Sequence, residues 1–229
     1  MNALIWNSRG TGAQTFTALV RDLKFHYHLN FIAILETRCN NEFSQRKASQ
    51  LGFPNMELVD CVGYTGGIWC LWDHSITSIT LLEHHHQFIH FQVNGAAELQ
   101  WTLSVVYASP SYAPHLILWD NLSRLAGLVQ GSWLTGGGFN GTLLHCERRS
   151  SATSCRSVDR DFIRWVDTHD MRDIGFAGPE FTWKRGSSEA RLDRVLANDQ
   201  LCNSFPNASV AHLPFFKSDH RPQTTAYLP

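Results

Sequence analysis

No apolar run in this sequence reaches the length needed to cross a bilayer, which excludes a chain that threads a membrane by helix. No basic, apolar leader opens it either. Met1-Asn2-Ala3-Leu4-Ile5-Trp6 has the make-up of a strand rather than a signal peptide, so the domain is expected to begin at the first methionine. Charge of one sign is also missing: 19 Lys and Arg face 20 Asp and Glu, for a net charge of -1. Composition therefore gives no general argument for a polyanion or a membrane surface as partner. Ten of the basic residues do fall between Arg148 and Arg194, but eight acids fall there too, and a solvated mixed surface is the simpler reading. The six cysteines (39, 61, 70, 146, 155 and 202) are scattered without a C-x-x-C pair. That spacing excludes a zinc ribbon and a secreted disulfide framework, and predicts reduced thiols in an intracellular protein. Repeats, low-complexity tracts and long linkers are absent as well.

What the chain does have is core material. At 229 residues, 43% hydrophobic and 12% aromatic, it can bury a substantial interior, and one domain spanning 1–229 is expected, acting as a monomer. Periodicity predicts strands over Ala3–Trp6 and Phe31–Leu35, then a meander of Gly66–Trp72, Ile76–Leu82, Phe88–Val93 and Leu99–Tyr107. Trp133–Thr135 is expected to enter a Gly-Gly-Gly turn, and late strands are expected at Phe181–Trp183, Arg191–Leu196 and Ala208–Leu213. Helical spacing marks Thr15–Lys24, Phe43–Leu51, Leu116–Leu128 and Asp159–Thr168. Two helix-and-strand halves predict two packed sheets, mixed or antiparallel, flanked by helices: a four-layer α/β sandwich.

Short polar motifs stand where these apolar runs end. They are Trp6-Asn7-Ser8-Arg9-Gly10, Glu36-Thr37, Tyr107, Phe139-Asn140, Arg191-Leu192-Asp193-Arg194 and Ser218-Asp219-His220-Arg221-Pro222. Hydrolysis of a phosphodiester needs a cation on the phosphate, a group that activates water, and donors for the developing charge. Glu36, at a strand end, suits a hard cation, with Asn7 beside it. Asp219 and His220 add a second acid and an imidazole, and Asp193 is placed to orient that imidazole. In Gly136-Gly137-Gly138-Phe139-Asn140, a glycine stands where a metal-assisted hydrolase needs a carboxylate.

In this order the motifs resemble the endonuclease/exonuclease/phosphatase superfamily, which includes apurinic endonucleases, DNase I and inositol-phosphate phosphatases. The nearest resemblance is to the endonuclease domain of plant LINE-type (non-LTR) retrotransposons. It is carried by Trp6–Gly10, Leu35-Glu36-Thr37-Arg38, Gly66-Gly67-Ile68-Trp69, Val106-Tyr107-Ala108-Ser109-Pro110 and Trp133-Leu134-Thr135-Gly136-Gly137. It continues through Gly178-Pro179-Glu180-Phe181-Thr182-Trp183, Arg191–Asn198 and Ser218–Pro222. The resemblance implies a DNase I-like fold and a Mg2+ (or Mn2+) dependent DNA endonuclease working on the phosphate backbone, in the nucleus. Glu36, Asn7 and Asp219 would be metal ligands, and Tyr107 would contact the scissile phosphate. Asn140 would place the attacking water or phosphate, and Asp193 would orient His220, which would stabilise the phosphate. The product would be a nick whose 3′-hydroxyl primes reverse transcription, although no reverse transcriptase is encoded in this chain.

The family's glycine pair is followed by Asp-Phe-Asn, and here Gly138 takes the place of the aspartate. A positioned acid or base contributes ~10²–10⁴-fold in rate, so a folded but strongly impaired nuclease is expected. Two other readings remain: a non-catalytic DNA-binding or interaction module on the same fold, and a phosphatase for small substrates. Simpler readings also attach to single residues. Asp193 between two arginines could be a structural ion pair, Asp219-His220 a bonded loop pair, and Gly66-Gly67 a tight connection. Trp183 is expected in the core, His84-His85-His86 in a solvated edge or loop, and Cys39 near the site but inert.

Overall fold

In β1 (Asn2–Asn7), Ala3 and Ile5 face one way while Leu4 and Trp6 face the other, and both faces are buried. β2 (Phe31–Leu35) repeats the pattern, with Phe31, Ala33 and Leu35 on one side and Ile32 and Ile34 on the other. Strands apolar on both faces must be covered on both faces, and that requirement sets the architecture.

The computed structural model describes residues 1–63, 65–74, 78–95, 99–150 and 158–226. Chain order continues with β3 (Asn55–Val62), β4 (Thr65–Trp72), β5 (Ser78–His85), β6 (Phe88–Asn94), β7 (Gln100–Tyr107) and β8 (Ser132–Gly138). Two-residue strands β9 (Arg148–Arg149) and β10 (Arg172–Asp173) follow, then β11 (Trp183–Arg185), β12 (Ser188–Ala190) and β13 (Asp193–Ala197). The last strands are β14 (Ser209–His212) and β15 (Gln223–Ala226). The helices are α1 (Phe16–His26), α2 (Asn41–Ser49), α3 (Tyr112–Ala126), α4 (Arg160–Thr168) and the short α5 (Asp199–Ser204).

One six-stranded sheet runs β14-β15-β1-β2-β4-β3 and the other β10-β13-β8-β7-β6-β5, with a small third sheet β11-β12-β9 at one end. Pairing is antiparallel except for β1 with β2 and β7 with β8, so both large sheets are mixed. Ala3, Ile5, Ala33, Leu35 and Ile68 of the first sheet pack on Ile89, Phe91, Leu103, Val105 and Val195 of the second. The outer face of the first sheet, with Leu4, Trp6 and Ile34, is covered by Phe16, Val20 and Leu23 of α1 and Ala48 of α2. The outer face of the second is covered by Leu118, Trp119 and Leu122 of α3 and Phe162 and Trp165 of α4. The layers are therefore helices, sheet, sheet, helices, as expected from the sequence.

Several expectations need correction. Gly136-Gly137-Gly138 is not a turn but the end of β8, a central strand between β7 and β13. A Cβ on Gly136 would stand 2.6 Å from Ile5 Cδ1, and one on Gly137 would stand 1.9 Å from the Val106 carbonyl oxygen. Glycine is what lets this strand lie so close to its neighbours. Gly66-Gly67 begins the strand expected there, now β4, and the carbonyls of Gly67 and Gly66 accept from the amides of Thr37 and Arg38. Helix α3 begins at Tyr112, because Pro114 falls in its first turn, where no amide donor is needed. The half-exposed strand β3 and the polar strand β15 carry too little apolar alternation to be expected at all. Ile76 and Thr77 of the expected strand Ile76–Leu82, and Cys155 among the expected thiols, lie outside the described residues.

Candidate active site

Register brings the polar motifs to one end of both sheets. Asn7, last in β1, pairs with Leu35, last in β2, and Glu36 follows directly. In the second sheet Tyr107 and Asp193 both pair with Gly138, on its two sides. Strand ends of two packed sheets thus converge on a cleft of about 580 Å³, lined by Arg9, Glu36, Tyr107, Asn140, Trp183 and His220 among others. Backbone strain gathers here too. Arg9, Glu36, Arg38 and Asn140 all have φ between 51° and 53°, the left-handed region that side chains other than glycine's disfavour.

His220 is buried, and its Nδ1 lies 2.7 Å from Asp193 Oδ2. Burial disfavours its charged form, but the adjacent Asp193 carboxylate outweighs this and raises its pKa, with Asp219 and Glu36 adding to the rise. The pair is held from behind. The Leu192 and Asp193 amides both donate to Thr182 Oγ1, Gln223 donates to the Asp193 carbonyl, and Trp6 donates to the His220 carbonyl. Asp193 Oδ1 is buried and has no partner among the described residues. It faces Gly138, whose hypothetical Cβ would lie 3.1 Å from it and 3.9 Å from Asn7 Nδ2.

On the other side of the cleft, Glu36 Oε1 accepts from Arg38 at 2.6 Å. Arg9 spans the remaining acids, with Nε 3.8 Å from Glu36 Oε2 and Nη1 3.0 Å from Asp219 Oδ2. The Trp183 indole also donates to Asp219 Oδ2, and Asp219 Oδ1 is buried without a partner among the described residues. Asn7 Oδ1 accepts from the Arg9 amide, and the Asn7 carbonyl accepts from Ser218. Burial first, and Glu36 second, push the Tyr107 phenol well above its ordinary pKa, so it stays protonated. Asn140 spends its amide nitrogen on the Ala108 carbonyl, which leaves its oxygen as an acceptor.

All the site residues read from the sequence (Asn7, Glu36, Tyr107, Asn140, Asp193, Asp219 and His220) therefore stand in or against one cleft. Three of the simpler readings do not hold. The arginines flanking Asp193 do not pair with it: Arg191 and Arg194 both bind Glu147 and Asp173 on the opposite side of β13. Asp219 and His220 do not bond each other, since they turn to Arg9 and Asp193 respectively. Trp183 is not in the core but half-buried in the cleft wall. Arg9 and Arg38 were given no role from the sequence, although each stands two residues beyond a proposed ligand. Cys39 is buried beside Thr11, away from the cleft lining. Among the histidines, His84 pairs with Glu57 on the edge strand β5, and the His85 and His86 rings pack on each other.

No three His, Cys, Asp or Glu side chains among the described residues are grouped to hold a metal ion. The available donors are two carboxylates, Glu36 and Asp219, with the Asn7 amide oxygen beside them and one buried carboxylate oxygen unpartnered. These are hard oxygen donors of the kind Mg2+ takes together with water, so the residues fit such an ion.

No family model matches the sequence, and no curated protein does. Solved structures do. An AP endonuclease from Leishmania major superposes with a TM-score of 0.78 over 100% of this chain and 88% of its own, at 14% identity. The fold is that of the endonuclease/exonuclease/phosphatase proteins. The endonuclease domain of TRAS1, a telomere-specific non-LTR retrotransposon, gives a TM-score of 0.68 at 14% identity, covering 99% of this chain and 97% of that one. The 3′ phosphatase NExo from Neisseria, bound to product DNA hairpin, gives 0.72 at 15% identity and covers 99% of both. At such identities the likeness lies in the fold, a DNase I-like sandwich that includes DNA-processing nucleases.

Proposed function

We propose that this chain is the Mg2+-dependent DNA endonuclease domain of a LINE-type retroelement, 229 residues in one unit, with chemistry impaired by Gly138. The observation that carries the reading is the His220–Asp193 pair, held 2.7 Å apart at the strand ends, with Glu36 lining the same cleft and Asp219 joined to it through Arg9. The TRAS1 likeness favours a retroelement over the AP endonuclease alternative only together with the plant LINE-like motifs of the sequence.

In this mechanism Glu36, Asp219 and Asn7 would hold the cation, which when bound neutralises the phosphate and acidifies a water. His220, whose charged form Asp193 favours, would donate from Nε2 to a non-bridging phosphate oxygen. The Tyr107 phenol, held protonated by burial, donates to another. Asn140 Oδ1 accepts from the attacking water and aligns it. That water's oxygen would bond to phosphorus as the bond from phosphorus to the 3′ oxygen breaks, the water's proton passing to solvent and a solvent proton completing the 3′-hydroxyl, with a 5′-phosphate as the other product. What is lacking is a group to take the water's proton. A carboxylate at position 138 would stand beside Asn7 and Asp193 and do so, and glycine does not.

Gly138 also favours a second reading, in which the fold binds DNA without cutting it. Nicking of supercoiled plasmid in Mg2+ by this chain and by Gly138→Asp separates the two. A gain of activity in the variant alone supports an impaired nuclease. Salt-sensitive DNA binding with no nicking by either supports the binding module.

A further inference from the structure

One residue of the cleft touches all three proposed cation ligands. Arg9 gives its amide to Asn7 Oδ1, its Nη1 to Asp219 Oδ2 at 3.0 Å, and sets Nε 3.8 Å from Glu36 Oε2. We propose that Arg9 is a tethered counter-ion that occupies the divalent-cation position, leaves it when the ion enters, and then binds the phosphate lodged in the cleft. The inference rests on reading Glu36, Asp219 and Asn7 as ligands.

Three observations support it. First, a guanidinium and a divalent ion on the same two carboxylates repel each other at that range, and Arg9 stands on Glu36 Oε2 and Asp219 Oδ2, two of the oxygens such an ion could take. Second, Arg9 can depart without leaving either acid bare. Glu36 keeps Arg38 and Asp219 keeps the Trp183 indole. Third, its side chain is a third exposed and lines the cleft, so the same guanidinium has phosphate within the sweep of its side chain. Arg9 takes a left-handed φ of 52° and precedes Gly10 at 121°, a turn that aims its side chain back over the strand ends.

Charge balance makes the competition stronger in this chain. Glu36, Asp193 and Asp219 are faced by Arg9 and Arg38, with Asp193 already bonded to His220. With no carboxylate at 138, these groups nearly cancel, and an entering cation meets little net negative charge. Ion entry and phosphate binding then assist each other, because each draws Arg9 in the same direction, and the coupling is reciprocal.

The test is Mn2+ titration followed by loss of the free-ion electron paramagnetic resonance signal, which reads binding rather than turnover. Wild type, Arg9→Gln, Arg9→Lys and Glu36→Gln are compared, each first shown to melt cooperatively. Arg9→Gln should bind Mn2+ about fivefold to tenfold more tightly, the scale of releasing two partly exposed ion pairs. Arg9→Lys, too short to span both acids, should fall between, and Glu36→Gln should lose the binding. A short duplex should tighten Mn2+ binding by wild type and lose that effect in Arg9→Gln. Unchanged or weaker affinity in Arg9→Gln, with binding still sensitive to Glu36→Gln, would overturn the inference and leave the cation reading standing. Binding insensitive to Glu36→Gln in every variant would overturn both.

Discussion

Strand β13 feeds two ionic clusters of similar composition and opposite character. Arg194 points to one side, where with Arg191 it meets Glu147 and Asp173, and Asp193 points to the other, into the cleft. In the first cluster all four carboxylate oxygens are bonded: Glu147 accepts from both arginines and the Leu143 and Leu144 amides, Asp173 from both arginines and the Gly175 amide. In the second, two carboxylate oxygens, Asp193 Oδ1 and Asp219 Oδ1, are buried without partners among the described residues, and four residues hold left-handed backbone. The first cluster leaves only two donors, Arg191 Nε and Arg194 Nε, without partners among the described residues, so it has no free oxygen to give a cation. The open one is arranged to receive something, and that difference separates scaffold from site.

The contrast is sharpest in Gly138→Asp, where adding one carboxylate to the open cluster should raise Mg2+-dependent plasmid nicking roughly 10²–10⁴-fold. Position 138 is not left-handed, but an added Cβ would stand 3.1 Å from Asp193 Oδ1, so that carboxylate must give by a few tenths of an ångström to admit the side chain. A variant that nicks no faster than its parent would show that the loss extends past one residue. Breaking the closed cluster should act on stability instead. Arg194→Met removes one of the two arginines bonded to buried Glu147 and half-buried Asp173 and should cost roughly 3 kcal/mol in urea unfolding, whereas Arg9→Met, at a half-open pair, should cost under ~1 kcal/mol.

The two clusters should also fail at opposite ends of the pH scale. Burial works against the charged carboxylates of Glu147 and Asp173, but the bonded arginines overcome it and hold both pKa values below the usual range. Their contribution is therefore full above the unfolded carboxyl pKa and is lost as pH falls through the lower folded values. His220 is raised, so its contribution is full below the unfolded imidazole pKa, ~6.5, and is lost as pH rises through the higher folded value. Unfolding of Glu147→Gln and His220→Gln against wild type, at pH 3–9, should show the first gap closing in acid and the second closing in base. The smallest effect is expected at the exposed edge, where His84→Ala should shift stability by no more than ~0.5 kcal/mol, measured by thermal melting.

Much of the fold was legible because β1 and β2 are apolar at every position or nearly so, and α1 and α4 carry clear helical spacing. The motif order located the cleft because each polar motif ends an apolar strand, and register then does the gathering. What the sequence hid was partnership. Nothing in Arg191-Leu192-Asp193-Arg194 says that the acid turns to a histidine 27 residues away while both arginines reach Glu147 and Asp173. Strand alternation separates Asp193 from Arg194, but the distant partners come only from tertiary packing. The triple glycine misled for a related reason. Glycine usually marks a turn, but Gly136 and Gly137 are needed because a neighbouring side chain and a neighbouring strand come within contact of their α-carbons.

The antiparallel pairing of β1 with β15 sets Asn2 beside Ala226 and Ile5 beside Gln223. Force applied to the two ends of the described chain would meet the Asn2–Ala226 rung first and part the ladder like a zipper, one rung after another, instead of shearing all of it at once. Such a seam yields at low tension. The cleft would feel that tension only after the last rung, at Ile5 and Gln223, had opened. The same geometry makes a short peptide bridge across this seam a natural place to close the chain into a ring and reopen it at a surface loop.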